Sequence, residues 1–130
     1  MILAACVDEA MGLRFNGRRQ SRDKAVIQAL LSLCPEGVRY APGSAALFPE
    51  GAGFCGASYL SEAKAGDLCF VEDLSYLDYP EQIEKILLFQ WNRSYPGDLF
   101  FQFPGQWRLE SKRDFPGNSH EIITVEVYTR

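Results

Sequence analysis

A cluster of cationic side chains near the start of the sequence is the densest group of residues capable of binding chemistry: Arg14, Arg18, Arg19, Arg22 and Lys24. In a Gly-containing loop before a helix, guanidinium and ammonium groups suit a phosphate or another anion. With a nearby aromatic such as Phe15 they would also suit RNA, but no RNA-binding motif accompanies them and the net charge of −4 disfavours nucleic acid. A solvated loop balanced by neighbouring acidic residues remains the alternative.

Asp23 and His120 are the residues whose types suit proton transfer. Asp23 would handle protons if burial raised its pKa and a cleft faced it; otherwise it would complement the positive end of the helix that follows. His120 is the only imidazole and lies in a polar turn. Because no Ser or Cys at triad spacing points to it, we expect a hydrogen-bonded structural histidine.

The four cysteines do not form a recognisable metal or redox motif. Cys6, Cys34, Cys55 and Cys69 contain no C-x-x-C pair, and one histidine is too few for a usual zinc site. We expect reduced thiols packed mostly in the interior and no metal. Cys55, in a Gly-rich loop, is the candidate for a reactive thiol or a disulfide.

Composition indicates a single domain over residues 1–130. The chain has 130 residues, 47% hydrophobic and 23% charged, which is enough to bury a core without a metal or disulfide. The first residues are apolar without a basic leader and meet Asp8 and Glu9 early, unlike a signal peptide. No stretch approaches the ~20 apolar residues of a membrane span, so we expect a soluble cytoplasmic protein without membrane contact.

Apolar runs and breaker residues predict the elements that would position these side chains. Continuous apolar runs predict buried strands at Ile2–Val7, Leu68–Val71 and Ile86–Trp91, and Ser21 or Asp23 would cap a helix through Leu33. We also predict a loop from Asp8 to Arg22, a short strand at Val38–Ala41, a helical turn at Ala45–Phe48, a Gly-rich loop at Gly51–Gly56 and a short helix at Ser58–Ala65. Trp107–Arg113 and Ile122–Tyr128 alternate in character and predict a terminal antiparallel pair.

An aromatic-rich stretch precedes that pair and contains Trp91, Tyr95, Phe100, Phe101, Phe103 and Trp107. Alternation along strands predicts most of them in the core. Phe100 and Phe101 are adjacent and must point to opposite faces of a strand, so one of them should be exposed. If several were exposed, they would form an interface, for example in a homodimer.

Several local strings, in this order, resemble the dihydrofolate reductase-like fold family. The opening Met1-Ile2-Leu3-Ala4-Ala5 with Val7-Asp8 and Gly12 is similar to the family's first strand and flexible loop. Gly66-Asp67, Phe70-Val71, Gly97-Asp98 and Phe103-Pro104 resemble the stretch from the cofactor strand to the family's G-D-T-x-F-P segment. Trp107-Arg108-Leu109-Glu110 and Asn118-Ser119-His120 resemble its W-E-x-V and N-S-H hairpin.

The resemblance implies an α/β fold with a mixed sheet, parallel in the centre with an antiparallel C-terminal hairpin, flanked by a few short helices. It places Asp23 where the family's helix carries its active-site carboxylate. It also implies a ligand site between the first strand, the Asp23 helix and the Arg18-Arg19 loop, for a small planar or anionic molecule. The expected ligand-binding residues are Ala5, Arg18, Arg19, Asp23, Val71 and Tyr76.

Departures from the family's pattern affect the cofactor. The family binds cofactor phosphates at helix N-termini, one opened by a G-R-x-T turn and one by a Gly-Gly pair after the cofactor strand. Here Pro42-Gly43-Ser44 occupies the first position and Glu72-Asp73 the second. At an effective dielectric near 20, two like charges ~4 Å apart repel by about 4 kcal/mol, so we expect no NADPH bound in the family's manner.

These observations predict a degenerate dihydrofolate reductase-like protein with a binding or accessory role. The first alternative is an NADPH-dependent reductase of a pterin- or folate-like substrate in which Asp23 assists protonation. The second is an RNA-associated factor that uses the basic loop. An open cleft between Asp23 and Val71–Ser75 would favour ligand binding at this edge.

Overall fold

A seven-stranded mixed sheet forms the centre of the molecule in the computed structural model, which describes residues 1–130. The strands in chain order are β1 (Ile2–Val7), β2 (Gly12–Phe15), β3 (Arg18–Arg19), β4 (Val38–Tyr40), β5 (Gly53–Cys55), β6 (Leu68–Phe70), β7 (Lys85–Gln90), β8 (Leu99–Phe100), β9 (Arg108–Pro116) and β10 (Ile122–Thr129). The large sheet has the spatial order β5-β4-β6-β1-β7-β10-β9, and β3-β2-β8 form a small separate sheet.

The direction of the strands follows the sequence-based prediction. The first five strands of that order are mutually parallel, whereas β10 runs antiparallel to both β7 and β9. β1 lies between β6 and β7, where Ala4 pairs with both Phe70 and Leu87. Because both faces of β1 are covered, its sequence is a continuous apolar run rather than an alternating one. The predicted mixed sheet with an antiparallel C-terminal hairpin is confirmed.

Each face of the large sheet has its own core. Alternate residues Leu3, Ala5 and Val7 point into the first core, which is covered by residues outside the large sheet that include Tyr59 and Tyr76. Ala4, together with side chains of β6, β7 and β10, belongs to the second core. The second core is covered mainly by one α-helix and the segment that contains Phe48.

That helix, α1 (Lys24–Leu33), is the only α-helix of the chain, accompanied by 3-10 segments at Pro42–Leu47, Ser75–Asp78 and Pro80–Gln82. It packs Val26 and Leu30 on the sheet. Asp23 is its N-cap, because the Asp23 backbone is extended and the side chain accepts a hydrogen bond from the Ala25 N–H at 2.8 Å. No helix of the structure is long and apolar enough to cross a membrane.

The predicted helix at Ser58–Ala65 is wrong: the segment is a series of turns. Its hydrogen bonding explains the difference. The Tyr59 carbonyl, which a helix would pair with the Ala63 N–H, accepts a bond from Arg39 Nε at 2.8 Å, and Ala63 N–H bonds to the Leu60 carbonyl instead. A tertiary contact therefore replaces the helical pattern that the sequence favours.

Three further predictions need correction in detail. The Gly51–Gly56 loop contains the edge strand β5, because Gly53 approaches the Val38 backbone too closely for any side chain. The predicted loop from Asp8 to Arg22 contains the short strands β2 and β3. The helical turn begins at Pro42 rather than Ala45 and has 3-10 geometry.

Candidate functional site

The carboxyl ends of the parallel strands bring the polar candidates together. Asp8, Glu72 and Trp91 lie just after β1, β6 and β7, while α1 begins beside them at Asp23 and β10 is preceded by His120. In open α/β sheets, ligands bind in the crevice outside this edge. We call this region the carboxyl edge.

Asp23 is surrounded by hydrogen-bond donors. Besides the Ala25 N–H, its carboxylate accepts bonds from the backbone N–H groups of Asn118, Ser119 and His120, with a nearest N···O distance of 2.9 Å for each of the first two and 3.0 Å for His120. The His120 Nδ1 lies 2.9 Å from Asp23 Oδ2. Burial alone would raise the pKa of Asp23, but the bonds from His120 and the backbone outweigh it and hold that pKa well below its ordinary value. The buried carboxylate is therefore ionised at neutral pH.

His120 extends this network to two hydroxyl groups. Because the Asp23 carboxylate only accepts, Nδ1 carries the proton, and Nε2 lies 3.0 Å from both Ser21 Oγ and Tyr95 Oη. The ring stacks on Trp91 with 4.4 Å between centroids. The expected structural, hydrogen-bonded role agrees with this geometry.

The order carboxylate, imidazole and hydroxyl is also that of an acyl-transfer triad. Sequence reasoning missed it because Ser21 and His120 are 99 positions apart. However, the cavity that Ser21 and Asp23 line has a volume of only about 20 Å³, and the Tyr95 hydroxyl competes for Nε2. This cavity is smaller than an acyl group, so the arrangement fits a structural role better than a catalytic one.

The turn before β10 can approach Asp23 closely because it contains Gly117, which has no side chain. A Cβ at Gly117 would overlap the His120 carbonyl oxygen and lie 3.0 Å from Asp23 Oδ2. The sequence signal was the Asn118-Ser119-His120 string, whose three N–H groups converge on Asp23.

Glu72 forms a second buried cluster at the same edge. Its carboxylate accepts a bidentate pair of bonds from Arg19, at 2.7 Å from Nε and 2.9 Å from Nη2, and a bond from Ser44 Oγ at 2.7 Å. Arg19 Nη2 also donates to the Gly43 carbonyl at 2.9 Å. The hydrogen bond to Glu72 raises the pKa of the Arg19 guanidinium. This cluster ties together the segments that follow β1, β4 and β6.

The Arg19–Glu72 ion pair corrects the prediction for Glu72. Glu72 was expected to present an unbalanced negative charge at the edge, but Arg19 neutralises it. Asp73, by contrast, is half-buried and accepts local bonds from Ser75. The charge that would meet an incoming phosphate is therefore smaller than predicted.

Little empty space remains at the carboxyl edge. A cavity of about 10 Å³ is lined by residues including Cys6, Arg19 and Glu72, and the cavity next to Asp23 has about 20 Å³. Each is of the size that holds a single water molecule. The open cleft between Asp23 and Val71–Ser75 that would favour a ligand here is not present.

The expected ligand-binding residues are only partly brought together. Arg19 and Val71 line the smaller cavity and Asp23 the larger one, whereas Ala5 and Tyr76 lie in the first core and Arg18 is exposed on β3. The Tyr76 hydroxyl donates to the Gln102 carbonyl and accepts from its N–H, and burial raises the pKa of Tyr76 to about 12. The ligand-binding and catalytic roles of these residues stay predictions.

The basic cluster is divided by the fold. Arg14 Nε donates to the Glu72 carbonyl at 2.7 Å, and Arg19 is bound as described above. Arg18, Arg22 and Lys24 are exposed. Two of the five cations therefore serve internal contacts, which leaves fewer charges for RNA than the sequence suggests.

The remaining candidates do not add a reactive centre. All four cysteines are free; Cys55 is exposed, and burial raises the pKa of Cys69 to about 11. No three His, Cys, Asp or Glu side chains converge in a group suited to a metal ion.

Of the aromatic stretch, Phe101 is buried and Phe100 is 41% exposed, as the alternation predicted. Dimerisation through exposed aromatics stays a prediction.

Comparison with known proteins establishes what this architecture is. No protein-family model matches the sequence, and no match was found among the curated proteins. Among solved structures, the chain is similar to dihydrofolate reductase from Enterococcus faecalis complexed with NADP(H) and RAB-propyl, with a TM-score of 0.65 and 10% sequence identity. The likeness covers 99% of this chain and 95% of that one. Likeness over almost the whole length of both chains shows that this chain has the dihydrofolate reductase-like fold.

Proposed function

We propose that this chain is a dihydrofolate reductase-like protein with a binding or accessory role and without NADPH-dependent reductase activity. The supporting observation is the closed carboxyl edge, where the Asp23–His120 and Arg19–Glu72–Ser44 networks leave cavities of about 10 and 20 Å³. Ligand sites usually have about 300 to 1,000 Å³. Both cavities are much smaller than a nicotinamide ring or a pterin, which supports the proposal.

The groups expected near cofactor phosphates are already engaged. The Gly43 carbonyl and the Ser44 hydroxyl bond to Arg19 and Glu72, respectively. A dinucleotide that displaced Arg19 would leave Glu72 buried without its cation. Breaking this mostly buried ion pair costs about 2 kcal/mol, which the cofactor would have to offset. The residues present therefore fit an NADPH phosphate poorly.

The alternative is an NADPH-dependent reductase of a pterin- or folate-like substrate. The observation in its favour is the fold, since the similar reductase is complexed with NADP(H). In this alternative Asp23 would assist protonation of the substrate. The low pKa of Asp23 opposes that role, because a carboxylate that is ionised at neutral pH has no proton to donate.

Titration with NADPH tests the proposal. We expect neither a change in NADPH fluorescence nor a rise in melting temperature up to millimolar NADPH, whereas the Enterococcus faecalis reductase, as a positive control, should show both. A ligand at about 100 times its Kd stabilises a protein by about 2.7 kcal/mol, so micromolar binding would raise the melting temperature by several degrees. Such a rise in the unaltered chain would overturn the proposal in favour of the reductase.

A double variant tests whether the Arg19–Glu72 pair prevents NADPH binding. Arg19→Ala/Glu72→Ala removes both side chains of the second cluster without leaving either charge unpaired. If this variant binds NADPH and the unaltered protein does not, the Arg19–Glu72 pair is what closes the edge. Glu50→Ala, an exposed carboxylate away from the edge, is the matched control and should bind no NADPH.

A further inference from the structure

A second region of open space lies away from the carboxyl edge, on the sheet face that carries α1. It is a groove of about 750 Å³, within the usual size of a ligand site. Ala29 and Leu33 of α1 form one wall, and Leu68, Leu87, Val125 and Val127 contribute the floor. We call it the α1 groove.

The groove exists because one ten-residue helix cannot cover this face of the sheet. Strands are spaced ≈ 4.8 Å apart, and a helix with its side chains is ≈ 10–12 Å wide, so α1 spans little more than two strands. Beside it, the apolar side chains of β7 and β10 face the groove. Leu33 at its wall is 60% exposed, which is unusual for a leucine on the inner side of a helix.

The charged residues that line the groove are all cations. Its lining contains Lys85, Lys112 and Arg113 and no carboxylate, although the chain as a whole has a net charge of −4. None of the three cations forms an ion pair within the protein. Lys85 and Arg113 lie on the same sheet face as the floor, since Lys85 pairs with Ile2 in the register and Arg113 pairs with Val125. An apolar floor with unpaired cations suits a ligand that is apolar at one end and anionic at the other.

We propose that the α1 groove binds an amphiphilic carboxylate of the fatty-acid class, with the alkyl chain on the floor and the carboxylate at Lys85 or Arg113. A second copy of this chain docking through the same surface would bring Lys85 and Arg113 against the same two cations, which disfavours a symmetric dimer. An acidic helix of another protein would fit the charge, but a stable protein interface buries about 800 Å² on each partner and needs a broader surface than this groove provides. The proposal gives a ligand class to the binding role suggested above and rests on it.

Displacement of the fluorescent anion 1-anilinonaphthalene-8-sulfonate by dodecanoate provides the assay. We expect dodecanoate to bind at least tenfold more tightly than dodecanol, and dodecyltrimethylammonium to bind more weakly than either. Each pair of methylene groups added to the carboxylate should raise its affinity about tenfold while the groove has room. Equal binding of the three head groups would overturn the proposal.

Variants locate the site. Lys85→Ala and Arg113→Ala together should weaken dodecanoate at least tenfold and leave dodecanol unchanged, because only the carboxylate contacts these cations. Leu33→Glu should abolish dodecanoate binding, and its exposed position means that the fold tolerates the change. Arg108→Ala, on β9 outside the groove, is the matched control and should bind like the unaltered protein. Unchanged dodecanoate affinity in the Lys85→Ala/Arg113→Ala variant and in Leu33→Glu would overturn the proposal.

Two further outcomes identify other occupants. A dimer in sedimentation that Leu33→Glu dissociates would assign the groove to a second copy. An acidic amphipathic peptide that displaces the probe more tightly than dodecanoate would assign it to a protein partner. Either result overturns the fatty-acid proposal. The NADPH titration tests the carboxyl edge alone. If it overturns the proposed function, the dodecanoate experiment still tests the α1 groove independently.

Discussion

The carboxyl edge and the α1 groove are two regions of one sheet with opposite character. At the carboxyl edge, the buried carboxylates each accept several hydrogen bonds, and the two cavities have about 10 and 20 Å³. In the α1 groove, about 750 Å³ is lined mostly by apolar side chains, and Lys85 and Arg113 form no ion pair. The fold family locates ligands at the first region, whereas this chain has its open space at the second. Fold alone therefore does not locate the site.

The difference shows how buried polar groups close a cleft. A buried carboxylate that lacks partners is costly, so Asp23 and Glu72 each collect several donors, and these donors fill the space where a ligand would lie. Apolar side chains need no hydrogen-bond donors around them. The α1 groove can therefore remain open at the cost of exposing apolar surface.

Replacing Asp23 should have the largest effect on the carboxyl edge. In Asp23→Asn, the amide NH2 would face N–H donors whichever way it is oriented, so several buried donors would lose their acceptor. We expect a loss of about 3 to 5 kcal/mol in the free energy of unfolding, measured by urea denaturation at neutral pH. Asp73→Asn is the control: Asp73 bonds only to Ser75 nearby and should change stability by less than about 0.5 kcal/mol. Equal losses in both variants would contradict the central role of the Asp23 network.

The same network predicts a pH dependence. The folded-state pKa of Asp23 lies below its ordinary value of 3.8, so its contribution to stability is complete above that pH. It is lost as the pH falls below 3.8 and through the folded-state pKa, because the unfolded state then binds a proton that the folded state does not. Urea denaturation between pH 2 and pH 6 should show a steeper acid decline for the unaltered protein than for Asp23→Asn. Parallel profiles would assign the acid sensitivity to other carboxyl groups.

The Arg19–Glu72 pair should show an intermediate effect. Glu72 is 9% exposed and Arg19 25%, so Arg19→Ala leaves a mostly buried carboxylate with only Ser44 as a side-chain partner. We expect a loss of about 2 kcal/mol, below the range for a fully buried pair. In a double-mutant cycle, Arg19→Ala/Glu72→Ala should lose about 1 to 2 kcal/mol less than the sum of the single variants. Additive losses would mean that the pair does not act as a unit.

Sequence reasoning predicted the fold where local signals and tertiary structure agree. The apolar runs of β1, β6 and β7 and the Asp23 cap are local signals that the structure retains. The strands β2, β3 and β5 were not predicted because these segments are short, polar or Gly-rich. They form strands only through pairing with partner strands. The predicted helix at Ser58–Ala65 was wrong because Arg39 captures a carbonyl, which no local pattern reveals.

The candidate site was less predictable than the fold because it depends on distant pairs. Asp23 and His120 were both identified, but they are 97 positions apart, which concealed their contact. Glu72 was predicted to repel a phosphate, and its neutralisation by Arg19, 53 positions away, was not foreseen. The α1 groove had no sequence signal, because the residues of its floor look like ordinary core residues.

The smallest effect should come from the groove wall, and it completes the comparison. Leu33 is 60% exposed, whereas Leu30, one turn earlier on the same helix, is fully buried. Leu30→Ala should lose about 3 kcal/mol, as buried leucines do, while Leu33→Ser should change the free energy of unfolding by less than about 0.5 kcal/mol. Urea denaturation of both variants measures the two values. A loss above 2 kcal/mol for Leu33→Ser would mean that the wall is covered in solution, so the groove would not be open and the contrast between the two regions would fail.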